Sequence, residues 1–428
     1  MPAEKALAAH GSVGENPAHS PDSTSGMARN GVDLTQVARS LEDEMDGADL
    51  DEAARLFAEN DPLAGIKAAA RFKDGRLREH FLKTLFAWWG KTDGRSATTF
   101  ILHAASDAEL GGVKRGEAMV SAAMGWGEKD PVAAAAWLGE GLRGNAPAAA
   151  NLIHALAGVM GEWGGEDPTA ALIWLGRHND FALQRVLYGE VAFHWARKDV
   201  TAALAACLEM PLSSDEREGM LNGALVSWAR GSGPAEAAAW IDAHLDSREI
   251  LRLAETAKAV GLALERKDPN AALAWANTMP DDGLRTDMMS SITFPWIHDA
   301  PATALGAVQD RLPSGDPVRT EVVVNTVRAW SHLDAAKAAD WLAAQPAGVE
   351  HDRSLQVYAD AVSVAEPQKA ATWATSIQDP ATREVALTQV MREWIQTSPK
   401  ACAQWCDEQA LKLGQPFVDR VKQMIAER

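Results

Sequence analysis

Arginine recurs eleven residues ahead of one column of large apolar residues, at Arg78, Arg115, Arg217, Arg285, Arg319 and Arg383. Arg185 and Arg353 stand one or two residues out of that register. A guanidinium fork binds carboxylates and phosphates bidentately, so a row of such groups could clamp an extended anionic ligand. The same row could equally be an intramolecular ladder. Asp215, Asp282, Asp287, Glu321 and Glu384 lie close in sequence, and the last carbonyls of a neighbouring helix are further acceptors. Recurrence in nearly every unit favours the ladder, because a structural constraint repeats along an array while a binding site need not. The polar groups placed to touch a partner are Arg185, Arg217, Asn222, Arg285, Arg319 and Asn325.

Other residue types that could carry chemistry are not arranged for it. The acidic run from Glu42 to Glu52 lacks both an Asp-x-Asp-Asp arrangement and the Asp-x-Asp-x-Asp-Gly register of a calcium loop, and reads as a solvated face. Cys402 and Cys406 share a helical face at i,i+4, but no nearby histidine or further cysteine completes a metal site. With Cys207 they read as buried or idle reduced thiols. Glu190 and His194 read as an ordinary helix pair, and Met288 and Met289 as core fillers. There is no nucleophile elbow, phosphate loop or dinucleotide fingerprint. The reading is therefore non-catalytic, without cofactor or metal.

The elements that would position the arginines are announced by tryptophan. Of the 16 tryptophans, 15 fall into two columns. One holds Trp89, Trp126, Trp163, Trp195, Trp228, Leu264, Trp296, Trp330, Val362 and Trp394. The other holds Phe100, Trp137, Trp174, Cys207, Trp240, Trp275, Val308, Trp341, Trp373 and Trp405. Successive members lie 32–37 residues apart in the second column, the period of a stacked helical-repeat array. Apolar spacing such as Leu387, Val390, Met391 and Trp394 makes the first helix of each unit.

The second helix starts at Asp130-Pro131, Asp167-Pro168, Asp268-Pro269, Glu366-Pro367 and Ser398-Pro399. There an oxygen-bearing cap precedes a proline whose missing N–H costs nothing. Met279-Pro280, Leu312-Pro313 and Gln345-Pro346 mark second-helix ends, and Pro295 interrupts a first helix. The indoles, partnered by alanine, belong in the core rather than on a sugar-binding surface.

In unit length and two-helix design the pattern resembles the tetratricopeptide-type αα-hairpin repeats, over about four-fifths of the chain. It diverges from their usual consensus, because here Trp closes the first helix and Pro opens the second. The resemblance implies a protein- or peptide-binding scaffold and carries over no catalytic residue. The expected fold is all-α, a right-handed αα-superhelical solenoid of about ten two-helix repeats. A flexible leader spans 1–32, acidic helices and a degenerate half repeat 33–70, the solenoid 71–410 and a capping helix 411–428.

Composition sets the remaining bounds. Net charge is −18, with 13 Asp/Glu against 4 Lys/Arg in residues 1–61, so a basic nucleic-acid footprint is lacking. No apolar run is long enough to span a membrane. The N-terminus is not a signal peptide as it stands, which makes the cytoplasm the default compartment and leaves an envelope or secreted location to a chain already cleaved. The expected partner is a protein or peptide held in a long groove lined by first helices. An α/α-toroid enzyme acting on a carbohydrate or isoprenoid, or a purely structural spacer, are the alternatives; an RNA-reading repeat is opposed by the acidic balance.

Overall fold

The computed structural model describes residues 34–40, 47–144, 149–178 and 183–427. The proposed leader 1–32, and residues 41–46 of the acidic run, lie outside the described residues. Among those described the chain is all-helical, with no β-strand. None of its helices is long and apolar enough to cross a membrane. The chain divides into two compact units, residues 1–159 and 160–428.

One local device recurs through both units. A residue with φ between −125° and −154° and ψ between 54° and 91° breaks the helix, and its side chain or a following proline restarts it. In the first unit Asp61 accepts from the Ala64 N–H at 2.9 Å ahead of the helix Pro62–Ala68. Asp93 (φ −144°, ψ 78°) divides the segment Gly75–His103 into two helices and accepts from the Ser96 N–H at 3.1 Å. Asp130 does the same for Pro131–Gly144 through the Ala133 N–H at 3.0 Å.

In the second unit the corner residues are Asp167, Asp199, Asp268 and Asp334, each capping the N–H three residues on at 2.9–3.1 Å. Gly233, Ala300, Glu366 and Ser398 take similar backbone angles without a side-chain cap, each followed by proline. At the aspartate corners the cap oxygen satisfies an N–H that the helix itself cannot. Asp93, Asp199 and Asp334 are not followed by proline, so Asp-Pro is one spelling of the corner rather than its requirement.

The caps lead to a direct expectation. Replacing Asp268 with Ala should cost about 1 kcal/mol, read as a shift in the urea midpoint, whereas Ala300 offers no cap to lose. The Asp334 carboxyl is held below the ordinary range, first by the backbone N–H of Lys337 and then by its side chain. Its lowered folded-state pKa means that its contribution is present above the ordinary aspartate range and fades as pH falls through the lowered value.

Either side of a corner, aromatic rings meet in nearly constant geometry. In the first unit Trp89 lies 5.3 Å from Phe100, and Trp126 lies 6.3 Å from Trp137 at 53°. In the second unit the pairs are Trp163–Trp174 (6.3 Å, 59°), Trp330–Trp341 (6.3 Å, 54°) and Trp394–Trp405 (5.8 Å, 53°). Tyr358, two turns into the hairpin whose first column holds Val362, takes the partner's place against Trp373 at 5.5 Å. None of the 16 tryptophans is exposed. Two indole N–H groups find carboxylates. Trp275 Nε1 donates to Asp242 and Trp296 Nε1 to Glu265, both at 3.0 Å.

Consecutive first helices pack against each other, in places closely enough to exclude any side chain. In the first unit a Cβ on Gly90 would sit 1.9 Å from the Ala122 carbonyl oxygen, and one on Gly125 1.9 Å from that of Ala87. In the second unit Gly219 and Gly223 meet the carbonyls of Arg185 and Gly189 at 2.1 and 2.0 Å. Polar bonds between neighbours span a similar sequence interval. Lys91 reaches Glu128, Lys198 reaches Glu166, Thr256 reaches Asn222 and Arg353 reaches Glu321, with separations of 32–37 residues. Within each unit, the hairpins joined by these bonds touch at equivalent parts.

Pro295 stops the helix Asp282–Thr293, and the chain resumes as the short helix Trp296–Asp299. At the C-terminus Gln415–Ala426 lays Phe417, Val418 and Val421 inward against the helices Pro380–Thr397 and Pro399–Glu408. All three cysteines are free and buried. Burial pushes the Cys207 thiol up to about 12, and Cys402 and Cys406 lie 3.5 and 3.7 Å from the Met391 sulfur. Neutral alkylating reagent should therefore label none of them in the native protein and all of them once it is unfolded, as intact-mass measurement would show.

Candidate functional site: a groove across three first helices

The arginine column proves to be mainly a set of fasteners. Arg319 donates to Glu350 Oε2 at 2.8 Å and Oε1 at 3.0 Å, and to the carbonyls of Leu312 and Gln309 at 3.1 and 3.4 Å. Both side chains are mostly buried, 12% and 17% exposed. Arg319 thus ties the last carbonyls of the helix Pro301–Arg311 to the start of the next hairpin. Arg383 does likewise, donating to Ile377 O at 2.8 Å and Gln378 O at 3.3 Å. In the first unit Arg115 donates to Ala104 O.

Two residues at the same register perform this job without being arginine. Gln184 reaches His178 O at 2.9 Å, and His351 approaches Leu342 O at 3.2 Å. The sequence signal for them was the column itself, once any long polar donor is accepted there. Arg285 is held by Asp282 at 2.6 Å. Arg185 lies 3.4 Å from Glu218, which Arg252 also grips.

Removing Arg319 leaves a mostly buried carboxylate and two carbonyls without their donor. Arg319→Ala should cost about 3 kcal/mol, while Arg217→Ala, which breaks no ion pair among the described residues, should stay within about 0.5 kcal/mol in the same denaturation series.

The two asparagines behave differently from the arginines. Asn222 is exposed and accepts from Thr256 Oγ1 at 2.8 Å, and Asn325 accepts from Arg328 at 3.0 Å. Their register, five or six residues before the aromatic column, marks the helix face that is neither in the core nor at the fastened end.

On that face the second unit carries a groove of about 920 Å³. It crosses the first helices Pro317–Leu333, Val349–Val362 and Pro380–Thr397. Its walls come from matching positions. Nine residues before the column stand Glu321, Arg353 and Val385; six before, Val324, Gln356 and Thr388; two before, Arg328, Asp360 and Arg392. Of these nine all but Glu321 line the groove. The 9, 6, 2 spacing is one stripe of an α-helix, so three helices in register present three parallel stripes.

Apolar and polar parts are mixed. Val385 is 57% exposed and Val324 is buried beneath the floor. Arg353 pairs with Glu321 at 2.6 Å, and Glu384 with Arg420 at 2.6 Å. Arg353 foremost, with burial opposing, holds the Glu321 carboxyl below its ordinary range, and Arg328 adds a weaker pull. Arg328, Asp360 and Arg392 are exposed and form no ion pair among the described residues. Beyond Arg392 the surface continues into a smaller hollow of about 300 Å³ walled by Phe417, Val421 and Met424 of the C-terminal helix.

Outside the groove, burial pushes the Glu190 carboxyl up, and His194 opposes the lift. No group of three or more His, Cys, Asp or Glu among the described residues is placed to hold a metal ion. No protein-family model, curated protein or solved structure matches the chain.

Proposed function

We propose that the chain is a helical-repeat scaffold whose 317–397 groove holds an extended segment of a protein partner. Three observations support the architecture: the recurring corner, the repeated indole pair, and side-chain bonds between residues about one period apart. Together they favour a right-handed αα-solenoid of about ten hairpins, related in design to tetratricopeptide arrays. The single observation that carries the function is the groove itself. Three first helices in register leave exposed charged side chains without ion-pair partners over an apolar floor, on a surface that packing within its own unit does not use.

A folded domain has no structural need for such a row. Salt-bridged pairs would satisfy solvent as well, and Lys198–Glu166 shows the chain using them between other neighbours. A segment of polypeptide fits the dimensions, because it can follow successive helices and place side chains between the stripes. The partner contacts proposed first from sequence shift accordingly. Asn325 belongs to the groove through Arg328, and Arg319 and Arg285 serve the fold. The proposed role is non-catalytic, and the acidic overall charge disfavours nucleic acid as the ligand.

The test is comparative capture from the source cells with wild type beside Arg328→Glu/Arg392→Glu. Both arginines are exposed, so the variant should keep its circular dichroism and melting temperature. A polypeptide held by wild type and released by the folded variant supports the groove. Equal retention by both removes it.

A further inference from the structure

We infer that the groove reads charge order: it selects an extended peptide carrying an acidic residue, a basic residue three positions on, and a second acidic residue three beyond that. This rests on the scaffold reading and adds the chemistry of the ligand. Arg328, Asp360 and Arg392 stand two residues before Trp330, Val362 and Trp394, at one register on three consecutive helices that pack side by side. All three line the same groove, all are exposed, and none is in an ion pair among the described residues. Read across the helices, the charges run plus, minus, plus.

The spacing supplies the rest. Packed helices lie about 8–10 Å apart, and a chain extended in the polyproline II form advances about 3.1 Å per residue with three residues per turn, so one helix step matches about three ligand residues and every third side chain returns to the same face. A peptide crossing the stripes therefore brings every third side chain opposite the next charge. Complementarity requires acid against Arg328, base against Asp360 and acid against Arg392. The order also excludes. A uniformly acidic peptide meets Asp360 with a like charge, and a uniformly basic one meets both arginines. Arg353 and Glu384 do not alter the code, since each is already paired, with Glu321 and Arg420.

The measurement uses the full chain and three fluorescein-labelled peptides of equal length. One carries glutamate, lysine and glutamate at three-residue steps on a serine, threonine and valine background. The second carries lysine, glutamate and lysine at the same steps. The third carries the first peptide's charges with its lysine moved next to one glutamate. Anisotropy titration at low salt should show the first bound at least about tenfold more tightly than either other, with the preference shrinking as salt is raised.

The charge-exchanged protein Arg328→Glu/Asp360→Lys/Arg392→Glu should invert the order of the first two peptides. Equal affinity for all three, no detectable binding, or an unchanged order in the exchanged protein would overturn the charge code. The scaffold reading fails separately, when Arg328→Glu/Arg392→Glu keeps the cellular partner as well as wild type does.

Discussion

Replacing Gly125 with Val is expected to destabilise the first unit by more than about 3 kcal/mol. The reason is geometric. A Cβ at Gly125 would stand 1.9 Å from the Ala87 carbonyl oxygen, and Gly90 faces Ala122 in the same way. Both obstacles are backbone, so no rotamer change relieves the clash and the two helices must separate. Overpacking of flexible neighbours typically costs 1–3 kcal/mol, and a backbone obstacle belongs above that range.

The control lies within the helix Pro301–Arg311. A Cβ on Gly306 meets nothing within 4 Å, so Gly306→Ala should stabilise by up to about 1 kcal/mol through helix propensity alone. Urea denaturation of both variants, followed by circular dichroism, decides the matter. Loss of structure from Gly306→Ala comparable to that from Gly125→Val would refute the close-approach account.

Trp330→Ala is expected to cost about 4 kcal/mol. The indole is 5% exposed, lies 6.3 Å from Trp341, and fills the angle between the two helices that meet at Asp334. Truncation removes a large apolar volume from a corner whose backbone is held by the Asp334 cap, so collapse into the space is restricted. Trp330→Phe keeps the ring packing and should cost less than about 2 kcal/mol. A cost for Trp330→Ala below that of Trp330→Phe would mean that the indole is not a structural anchor. Because aromatic pairs recur at equivalent corners, Trp163→Ala and Trp394→Ala should behave alike.

Much of this was legible in the sequence because the corner is written in local chemistry. A cap oxygen, a proline at the first helical position and an indole on each side are short-range signals, and they recur often enough to be separated from chance. The all-helical class followed directly. The corners at Asp93 and Asp199 were not singled out, because they lack proline, although their aspartates cap in the same way.

The site was less legible. Repetition drew attention to arginine eleven residues before the aromatic column, and repetition is what a fastener produces. Arg319 and Arg383 donate to carbonyls at or just past the ends of the preceding helices. The groove residues Arg328, Asp360 and Arg392 change type from one helix to the next, so no column of like residues reveals them. Their shared register becomes visible only when the three helices are placed side by side. Of the positions favoured from sequence, Asn325 lies nearest to that face, as the acceptor for Arg328.

The most direct test of the scaffold account is site-specific photo-crosslinking in the source cells. A photoreactive amino acid at Val385, 57% exposed within the groove, is compared with one at Val364, which is 67% exposed and does not line it. The account predicts a discrete polypeptide adduct at Val385, lost when Arg328→Glu/Arg392→Glu is added, and none of that mass at Val364. Adducts of equal yield at both positions, or at Val364 alone, would contradict it.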